Sequence, residues 1–362
     1  MNAKSQEMLE QIAALSHEFG GPEYVLGGGG NTSCKDAEFL WVKPSGTILS
    51  QLRPADFTAL ARAGIERLFT LAPPAEAAAR ESWVQEVMQA ALAPGAAGRP
   101  SVEAPLHHAL AARYVVHTHP AWINGLTCAR DSATAAARLF PAALYVPYTD
   151  PGYTLSVAVR AALEAYRKRH GHEPRVVLLE NHGVFIAADQ PDDIRAAYAE
   201  IRAQLERAYT AAGVPPTLTV GPRPTPERLA RLTDALQAEL GPAAAVVLAE
   251  GPFQVAAGPL SPDHIVYQKS FPFVGEPTQQ ALRVFQAETG YAPRIVVLPD
   301  VVLALGPSEQ SARLALALAR DGARVLECTA AFGGVRYLSP AARRFIENWE
   351  VESYRRQVAG VA

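Results

Sequence analysis

A dense run of prolines and glycines between residues 213 and 226 constrains the fold of this chain more than any other feature. Both residue types interrupt helices and strands, so no regular element is expected to continue through this run. The chain has 362 residues, which is more than most single domains contain. We therefore predict two domains, over residues 1–212 and 227–362, with a linker at residues 213–226.

The composition indicates a globular protein. Hydrophobic residues make up 49% of the chain and charged residues 19%, and the net charge is −3. Disordered chains have fewer apolar residues and a larger charge imbalance. Proteins that bind nucleic acid or anionic membranes through electrostatics carry a basic surplus, which this chain lacks. We therefore expect no nucleic-acid partner and no membrane partner.

The sequence favours a cytoplasmic location. Three cysteines, Cys34, Cys128 and Cys328, are odd in number and far apart, so they indicate no disulfide framework or thiolate zinc site. No segment reaches the ~18 uncharged apolar residues that a membrane span needs. Residues 1–10 also lack the apolar region of a signal peptide.

Hydrophobic periodicity predicts an α/β class for both domains, the second being the smaller. Helices are predicted over residues 5–19, 54–69, 76–92, 122–139 and 192–211, and Ser101 is predicted to cap a helix that runs to about Arg113. Strands are predicted at residues 39–42, 114–118, 176–179 and 184–187, and in the second domain at 244–249, 264–267, 294–298 and 301–305.

One segment of the second domain resembles a segment of the first. Residues 174–187 and the helix after them are similar in pattern to residues 293–305 and the helix that follows. The second copy has Pro299-Asp300 where the first has Asn181-His182-Gly183. This similarity indicates either a degenerate repeat that lost its polar centre or a chance recurrence of a common unit.

Three histidines could form a metal site. Because side chains two apart on a strand point the same way, His117 and His119 are expected to share one face. His182 lies at a glycine turn after an apolar strand, where a side chain is presented rather than packed. Three imidazoles with one open position are typical of a catalytic Zn²⁺ site, or of a site for a similar divalent ion. The alternative is that these are ordinary core or surface histidines.

Glu103 and two polar loops are further candidates. Glu103 lies near the start of the helix before the histidine strand, where it could instead simply complement the helix dipole. The run Gly27–Gly30 with Asn31, Thr32 and Ser33, the loop 43–47 and Ser101 together offer N–H groups, hydroxyls and a cation. These groups could cradle a phosphate, although a simple turn would explain the glycines equally well.

Taken in order, these motifs resemble the class II aldolase/adducin family. The motifs are Gly28-Gly29-Gly30-Asn31-Thr32-Ser33, Lys43-Pro44-Ser45-Gly46, Ser101-x-Glu103, His117-Thr118-His119-Pro120 and Asn181-His182-Gly183. The likeness covers about residues 5–211 and is strongest to fuculose-phosphate aldolases and to the aldolase part of bifunctional rhamnulose-phosphate aldolase/alcohol dehydrogenases. It implies a three-layer domain with a central, mostly antiparallel sheet.

The resemblance also implies a chemistry. His117, His119 and His182 would hold Zn²⁺, or another divalent metal such as Co²⁺, Mn²⁺ or Ni²⁺, and Glu103 would remove a proton beside the metal-bound carbonyl. The metal would stabilise the resulting enediolate as a Lewis acid. A tyrosine, in the family often from a neighbouring subunit, would protonate the aldehyde oxygen, and Tyr145, Tyr148 and Tyr153 are the candidates here. The substrate phosphate would contact Asn31, Thr32, Ser45, Gly46 and Ser101.

We therefore expect a metal-dependent aldolase that cleaves or forms a C–C bond in a ketose phosphate or related hydroxy-carbonyl compound. The alternatives are a sugar-phosphate 4-epimerase that uses the same metal site and a non-catalytic adducin-like binding protein. The expected partner is a small sugar phosphate, and the expected assembly is a homo-oligomer such as a tetramer. The family's aldolases usually have a second hydroxyl residue, used in phosphate binding, where this chain has Val102. The bifunctional relatives continue into a dehydrogenase, but residues 227–362 contain no Gly-x-Gly-x-x-Gly motif of the kind that binds a dinucleotide. We expect the second domain to be non-catalytic, supporting the first or completing an oligomer contact.

Overall fold

The computed structural model describes residues 3–96 and 98–349, with the backbone alone at residues 77 and 78. Its α-helices are α1 (Ala3–Glu18), α2 (Arg62–Thr70), α3 (Ala77–Ala90), α4 (Ala104–Ala109), α5 (Ala121–Thr127), α6 (Ser132–Leu139), α7 (Tyr153–His170), α8 (Pro191–Ala211), α9 (Pro226–Leu240), α10 (Pro262–Gln268), α11 (Gln279–Thr289), α12 (Glu309–Thr329) and α13 (Pro340–Asn348). Its strands are β1 (Asn31–Lys35), β2 (Phe39–Val42), β3 (Thr58–Ala61), β4 (Tyr114–Thr118), β5 (Leu144–Val146), β6 (Val176–Leu179), β7 (Gly183–Ala188), β8 (Val246–Glu250), β9 (Phe273–Val274), β10 (Ile295–Leu298) and β11 (Val301–Gly306). In the part of the chain so described, no helix has both the length and the apolar character that crossing a membrane requires.

The chain divides into two compact units. Unit 1 comprises Met1–Ile123 and Ser132–Leu205, and unit 2 comprises Asn124–Asp131 and Glu206–Ala362. The proline- and glycine-rich run lies within unit 2, where the Gly221 amide donates to the Pro252 carbonyl at 2.8 Å. The boundaries at residues 212 and 227 remain a prediction about domains that fold independently.

Unit 1 contains a seven-stranded sheet with the order β3-β2-β1-β4-β7-β6-β5. Every neighbouring pair is antiparallel except β5 and β6, which confirms the expected mostly antiparallel sheet. Helices α1 and α8 cover one face of the sheet, where Ser16 of α1 bonds to Thr32 and Tyr198 of α8 bonds to Thr118. Helices α4 and α7 cover the other face through an apolar core that includes Leu106 and Leu163. The three-layer arrangement is therefore confirmed.

Several predicted elements were wrong in type or extent. Residues 54–69, predicted as one helix, contain a 3₁₀ turn (Pro54–Asp56), strand β3 and all of α2 except Thr70, because β3 pairs with β2 across the sheet. Residues 122–139 form two helices, α5 and α6, instead of one. Residues 264–267, predicted as a strand, lie in α10, because Pro262 at its first position is pre-organised for a helix.

Two further expectations fail around the polar loops. Residues 31–33 are the start of strand β1, because all three pair with β4 and Ser33 also pairs with β2. Ser101 is not a helix cap: α4 begins at Ala104 with Glu103 at the N-cap position, and the helix ends at Ala109 rather than near Arg113. The Ser101 hydroxyl instead accepts a hydrogen bond from the side chain of Asn31.

The four-stranded sheet of unit 2 repeats the topology of half of unit 1. Its order, β8-β11-β10-β9, has the same sequence of strand directions as β4-β7-β6-β5. In both halves a helix joins the two parallel strands, and a helix of 21 residues follows the last strand. The similarity seen in sequence thus extends to the whole fold of this half, which favours the repeat over chance.

The strand registers show what stands at the histidine positions in unit 2. In unit 1, His117 pairs with Phe185, which pairs in turn with Val177. The equivalent chain in unit 2 is Ala249, Leu303 and Val296. Ala249 therefore occupies the place of His117, and Gly251, two residues later, occupies that of His119.

Lys35 is a buried cation at the far end of β1 from the histidines. Its side chain is 3% exposed, and its Nζ donates to the carbonyls of Leu110 and Ala112 at 2.6 and 2.9 Å. These carbonyls lie just beyond the end of α4, where a cation complements the helix dipole. Burial lowers the pKa of Lys35 to about 7. The folded chain therefore loses this proton at a lower pH than the unfolded chain does.

This shift predicts a pH-dependent stability. Between pH 7 and the ordinary lysine pKa of about 10.4, the unfolded chain retains a proton that the folded chain has lost. From Lys35 the free energy of unfolding should rise with pH in this window, by up to ~1.4 kcal/mol per pH unit. Replacing Lys35 by methionine should remove this slope. Urea unfolding of both proteins at several pH values checks this, and a wild-type-minus-variant difference that is independent of pH would contradict it.

Candidate metal centre

Three histidine side chains meet at one end of the unit 1 sheet. His117 lies on β4, His119 directly follows that strand, and His182 lies in the turn between β6 and β7. One ligand atom of each ring lies within 4.8 Å of the others, and the Nε2 atoms of His117 and His119 are 2.9 Å apart. All three rings are buried. Among the described residues, this is the one group of histidine, cysteine or carboxylate side chains with metal-ligand spacing.

The position of the His117 ring is fixed by its surroundings. Its Nδ1 lies 2.9 Å from the Val184 carbonyl, so the N–H of a neutral ring belongs on Nδ1 and the Nε2 lone pair faces the other histidines. The Phe185 ring stacks on it at 3.9 Å with an interplanar angle of 10°. Burial lowers the pKa of His117, which keeps the ring in the neutral form that binds metals.

The Asn181-His182-Gly183 turn has a specific backbone requirement at two positions. Asn181 has a φ of 53°, in the left-handed region that asparagine tolerates better than most residues. A Cβ at Gly183 would lie 2.4 Å from the Thr118 carbonyl oxygen, so only glycine allows β7 to approach β4 here. These two residues hold His182 in the tight turn beside the other histidines.

The carboxylate of Glu103 lies beside the three histidines. Its Oε1 is 3.3 Å from the Nε2 of His117 and 3.8 Å from the Nε2 of His182. Its Oε2 accepts a hydrogen bond from the Nδ2 of Asn31 at 3.2 Å. The residue is 7% exposed, so this negative charge is largely removed from water. Such a carboxylate is placed to exchange protons with a molecule bound at the histidines.

Asn31 and Ser101 complete this corner of the site. Asn31 lies on β1 directly opposite His117, and its Nδ2 donates to the Ser101 Oγ at 2.6 Å. The Ser101 Oγ also accepts from the Glu103 amide at 3.2 Å. Because this oxygen already accepts two hydrogen bonds, its own O–H group is the part that can donate to a ligand.

Ser45 and Gly46 lie in the loop that follows β2, at the same end of the sheet. The Ser45 amide donates to the Arg99 carbonyl at 3.1 Å, which joins this loop to the segment leading into Ser101. The Lys43 amide donates to the Thr32 carbonyl at 3.0 Å, next to Asn31. The structure therefore brings the second polar loop to the Asn31 corner.

Thr32 is the exception among the predicted phosphate contacts. Its side chain lies on the opposite face of β1 from Asn31, as strand alternation requires, and its Oγ1 is 2.7 Å from the Ser16 Oγ of α1. It is completely buried there. The structure thus removes its hydroxyl from the group that faces the histidines.

His107 lies behind the three clustered histidines rather than among them. Its Nδ1 is 2.8 Å from the Ser33 Oγ, and its ring meets that of Phe185 edge to face at 5.3 Å. Burial lowers the pKa of His107 well below its ordinary value, so the ring is neutral. It supports the ring that stacks on His117.

The structure also separates the three candidate tyrosines. The Tyr145 hydroxyl pairs with the Ser132 Oγ at 2.6 Å, and the buried Tyr153 hydroxyl donates to the Leu68 carbonyl at 3.1 Å. Tyr148 is half-buried in the loop after β5, and its hydroxyl donates to the Asp150 Oδ1 at 3.1 Å. Burial and the neighbouring Asp150 raise the pKa of Tyr148, so this phenol keeps its proton at neutral pH.

Glu180 is a buried carboxylate that the sequence reasoning missed. It directly precedes Asn181, and its Oε2 accepts a hydrogen bond from the Tyr148 amide at 2.9 Å. An acidic residue inside an apolar stretch, just before a glycine turn that presents a histidine, was the available signal. Its partner could not be seen from the sequence, because Tyr148 lies on another strand connection.

A comparison with known families agrees with this arrangement. The model of the family described as Class II Aldolase and Adducin N-terminal domain matches residues 10–209, which is more than half of the chain. The chain belongs to this family. The match spans all of the predicted site residues and ends before the unit 2 sheet begins.

Individual relatives of this class II aldolase and adducin family member are distant. The "Uncharacterized oxidoreductase YuxG" of Bacillus subtilis (strain 168) is 23% identical over 97% of this chain, and the chain spans 58% of that protein's length. The N-terminal class II aldolase domain of a conserved protein from Thermoplasma acidophilum is 22% identical over 55% of this chain and 92% of its own, with a TM-score of 0.47. L-fuculose-1-phosphate aldolase from Thermus thermophilus is 16% identical over 57% of this chain and 94% of its own, with a TM-score of 0.35.

Proposed function

We propose that this protein is a metal-dependent aldolase, a lyase that cleaves or forms a C–C bond in a ketose phosphate or a related hydroxy-carbonyl compound. One observation carries the proposal: the Glu103 Oε1 lies 3.3 Å from the His117 Nε2 at the edge of a buried three-histidine group. A base beside a metal-binding triad is what proton removal next to a carbonyl requires.

The side chains fit a divalent cation. Three buried imidazoles, one of them fixed with its Nε2 toward the other two, form the donor set of a catalytic site with an open position. Zn²⁺ suits such a set, as do Co²⁺, Mn²⁺ and Ni²⁺. When bound, the ion would supply the Lewis acidity that stabilises negative charge on the substrate's carbonyl oxygen.

Glu103 is the proposed base. Its carboxylate would take the proton from the carbon next to the carbonyl and hold it on one carboxyl oxygen until it is returned. The hydrogen bond from Asn31 keeps the other oxygen in place, and Ser101 in turn holds Asn31. This pair would limit the movement of the carboxylate as its charge changes during the reaction.

The remaining substrate contacts follow from the same corner of the sheet. We propose that Asn31, Ser45, Gly46 and Ser101 contact the phosphate, and that Thr32 does not because its hydroxyl faces α1. Tyr148 is the proposed donor of a proton to the aldehyde oxygen, because its amide bonds to Glu180 beside the His182 turn, whereas the Tyr145 hydroxyl pairs with Ser132 and the buried Tyr153 hydroxyl with the Leu68 carbonyl.

The second half of the proposal concerns unit 2. Ala249 and Gly251 occupy the positions of two metal-binding histidines, and Pro299-Asp300 occupies that of the third. Neither alanine nor glycine offers a metal ligand through its side chain. We therefore propose that unit 2 has no catalytic centre of this type. As a separate part of the proposal, the protein works in the cytoplasm as a homo-oligomer such as a tetramer.

Solvent deuterium exchange tests the proposed activity. Metal-loaded protein should incorporate deuterium into a ketose phosphate such as dihydroxyacetone phosphate, and it should release an aldehyde from at least one member of a ketose phosphate panel. A 4-epimerase would interconvert sugar phosphates without this exchange. Purification without any near-stoichiometric divalent metal would instead favour a non-catalytic binding protein.

A further inference from the structure

We propose that Glu180 is a positioning residue that holds the loop carrying Tyr148 against the turn that carries His182. The proposal rests on the function given above, in which Tyr148 donates a proton to the aldehyde oxygen. It assigns to a buried carboxylate, which neither binds the metal nor abstracts the proton, the role of keeping two functional segments in register.

Two hydrogen bonds join Glu180 to the Tyr148 loop. The Glu180 amide donates to the Val146 carbonyl at 3.0 Å, and the Glu180 Oε2 accepts from the Tyr148 amide at 2.9 Å. Glu180 therefore bonds to the residues on both sides of Pro147, the first residue after β5. A flexible loop would otherwise leave the phenol free to adopt many positions.

The same residue is attached to the metal-site turn. Glu180 directly precedes Asn181, whose left-handed φ of 53° restricts the turn, and the His182 amide donates to the Leu179 carbonyl at 3.3 Å. The Tyr148 hydroxyl is held in turn by Asp150 at 3.1 Å. A continuous set of contacts thus runs from the His182 turn through Glu180 to the Tyr148 phenol.

Unit 2 shows that this fold does not require the carboxylate. Its equivalent strands β10 and β11 are joined by the shorter turn Pro299-Asp300, in which Pro299 directly follows β10 as Glu180 directly follows β6. Glu180 itself is 8% exposed, and burying a carboxylate costs free energy that a purely structural position would avoid. The acidic residue stands in the copy that keeps the histidines, which favours a functional role over a structural one.

The test separates two half-reactions. Deuterium exchange into dihydroxyacetone phosphate needs Glu103 but no proton donor for an aldehyde, whereas bond formation with an added aldehyde needs both. Glu180→Ala and Glu180→Asp, which cannot reach the Tyr148 amide, should keep metal content and exchange within about twofold of wild type. Bond formation with glycolaldehyde, glyceraldehyde or lactaldehyde should fall roughly 100-fold, as displacement of a catalytic group by about 1 Å would cause.

Two comparison variants identify why bond formation would be lost while deuterium exchange is kept. Glu180→Gln keeps an amide oxygen that can accept from the Tyr148 amide, so it should restore bond formation, while Tyr148→Phe should reproduce the split. Asp189→Ala removes a carboxylate that accepts from the Arg113 amide at the other end of the same sheet, and it should change neither half-reaction.

Three results would overturn the proposal. Wild-type bond formation in both Glu180→Ala and Glu180→Asp would show that the Tyr148 loop needs no such support. Loss of metal from Glu180→Gln would show that the carboxylate serves His182 instead. If wild-type protein catalyses neither exchange nor bond formation, the proposed function fails and this role fails with it. If wild-type protein catalyses exchange but the Glu180 variants do not lose bond formation selectively, this role alone is removed.

Discussion

Replacing His119 by alanine should leave the purified protein without a stoichiometric divalent metal. Two histidines remain in the variant, and two imidazoles do not make the three-ligand set that holds a catalytic ion. Changes behind the ligands cost metal affinity about 10–100-fold, so loss of a ligand should cost at least about 100-fold. Metal analysis by mass spectrometry after dialysis, together with a Co²⁺ titration followed by absorption, measures this directly.

The matched control is a histidine away from the centre. His172 is exposed, its Nδ1 lies 2.9 Å from the Glu173 carbonyl, and its ring contacts those of Tyr166 and His170. His172→Ala should therefore bind metal as the wild type does. Equal metal occupancy in His119→Ala and wild type would contradict the assignment of His119 as a metal ligand.

The second large effect is expected from Glu103→Gln. The amide keeps the size of the side chain but cannot accept a proton, so deuterium exchange and carbon–carbon cleavage should fall by roughly 10²–10⁴-fold. Metal binding should persist, since the three histidines remain. Exchange is measured by mass spectrometry of dihydroxyacetone phosphate after incubation with the metal-loaded protein in deuterated buffer.

Glu66 provides the control for this substitution. Its carboxylate also lies next to a histidine, with its Oε2 at 2.8 Å from the His108 Nε2, but it belongs to α2 and its Oε1 pairs with Arg160 at 2.8 Å. Glu66→Gln should retain both metal and exchange. Undiminished exchange in Glu103→Gln would remove Glu103 from the role of base.

The class of fold and most of its elements could be predicted from local patterns. The helices near residues 5–19 and 192–211 and the strands near 114–118 and 176–187 have strong apolar periodicity, and the structure has them within a few residues. Strand β1 was missed because its sequence, Asn-Thr-Ser-Cys-Lys, is polar and follows a glycine run. Its strand conformation comes from pairing on both sides, a tertiary effect that no local pattern shows.

Part of the candidate site could also be predicted from local patterns, and part depended on tertiary pairing. Strand alternation was enough to place His117 and His119 on one side, and the glycine turn indicated that His182 is presented. The side-chain direction of Thr32 required knowing that β1 is a strand, and the Glu180–Tyr148 contact required knowing that β5 lies beside β6. Both depend on register between segments that are distant in sequence.

The repeated half-sheet suggests how this chain acquired its length. A copied segment that already encodes strands, a crossover helix and a packing helix brings its own apolar core, so duplication needs no new solution to burying a sheet. Ala249 and Gly251 stand at the positions of His117 and His119, so the strands of this half form without the histidines. The repeated part begins at β8, the counterpart of β4. Strand β4 has a neighbour on each side in the unit 1 sheet, whereas β8 is an edge strand of the unit 2 sheet.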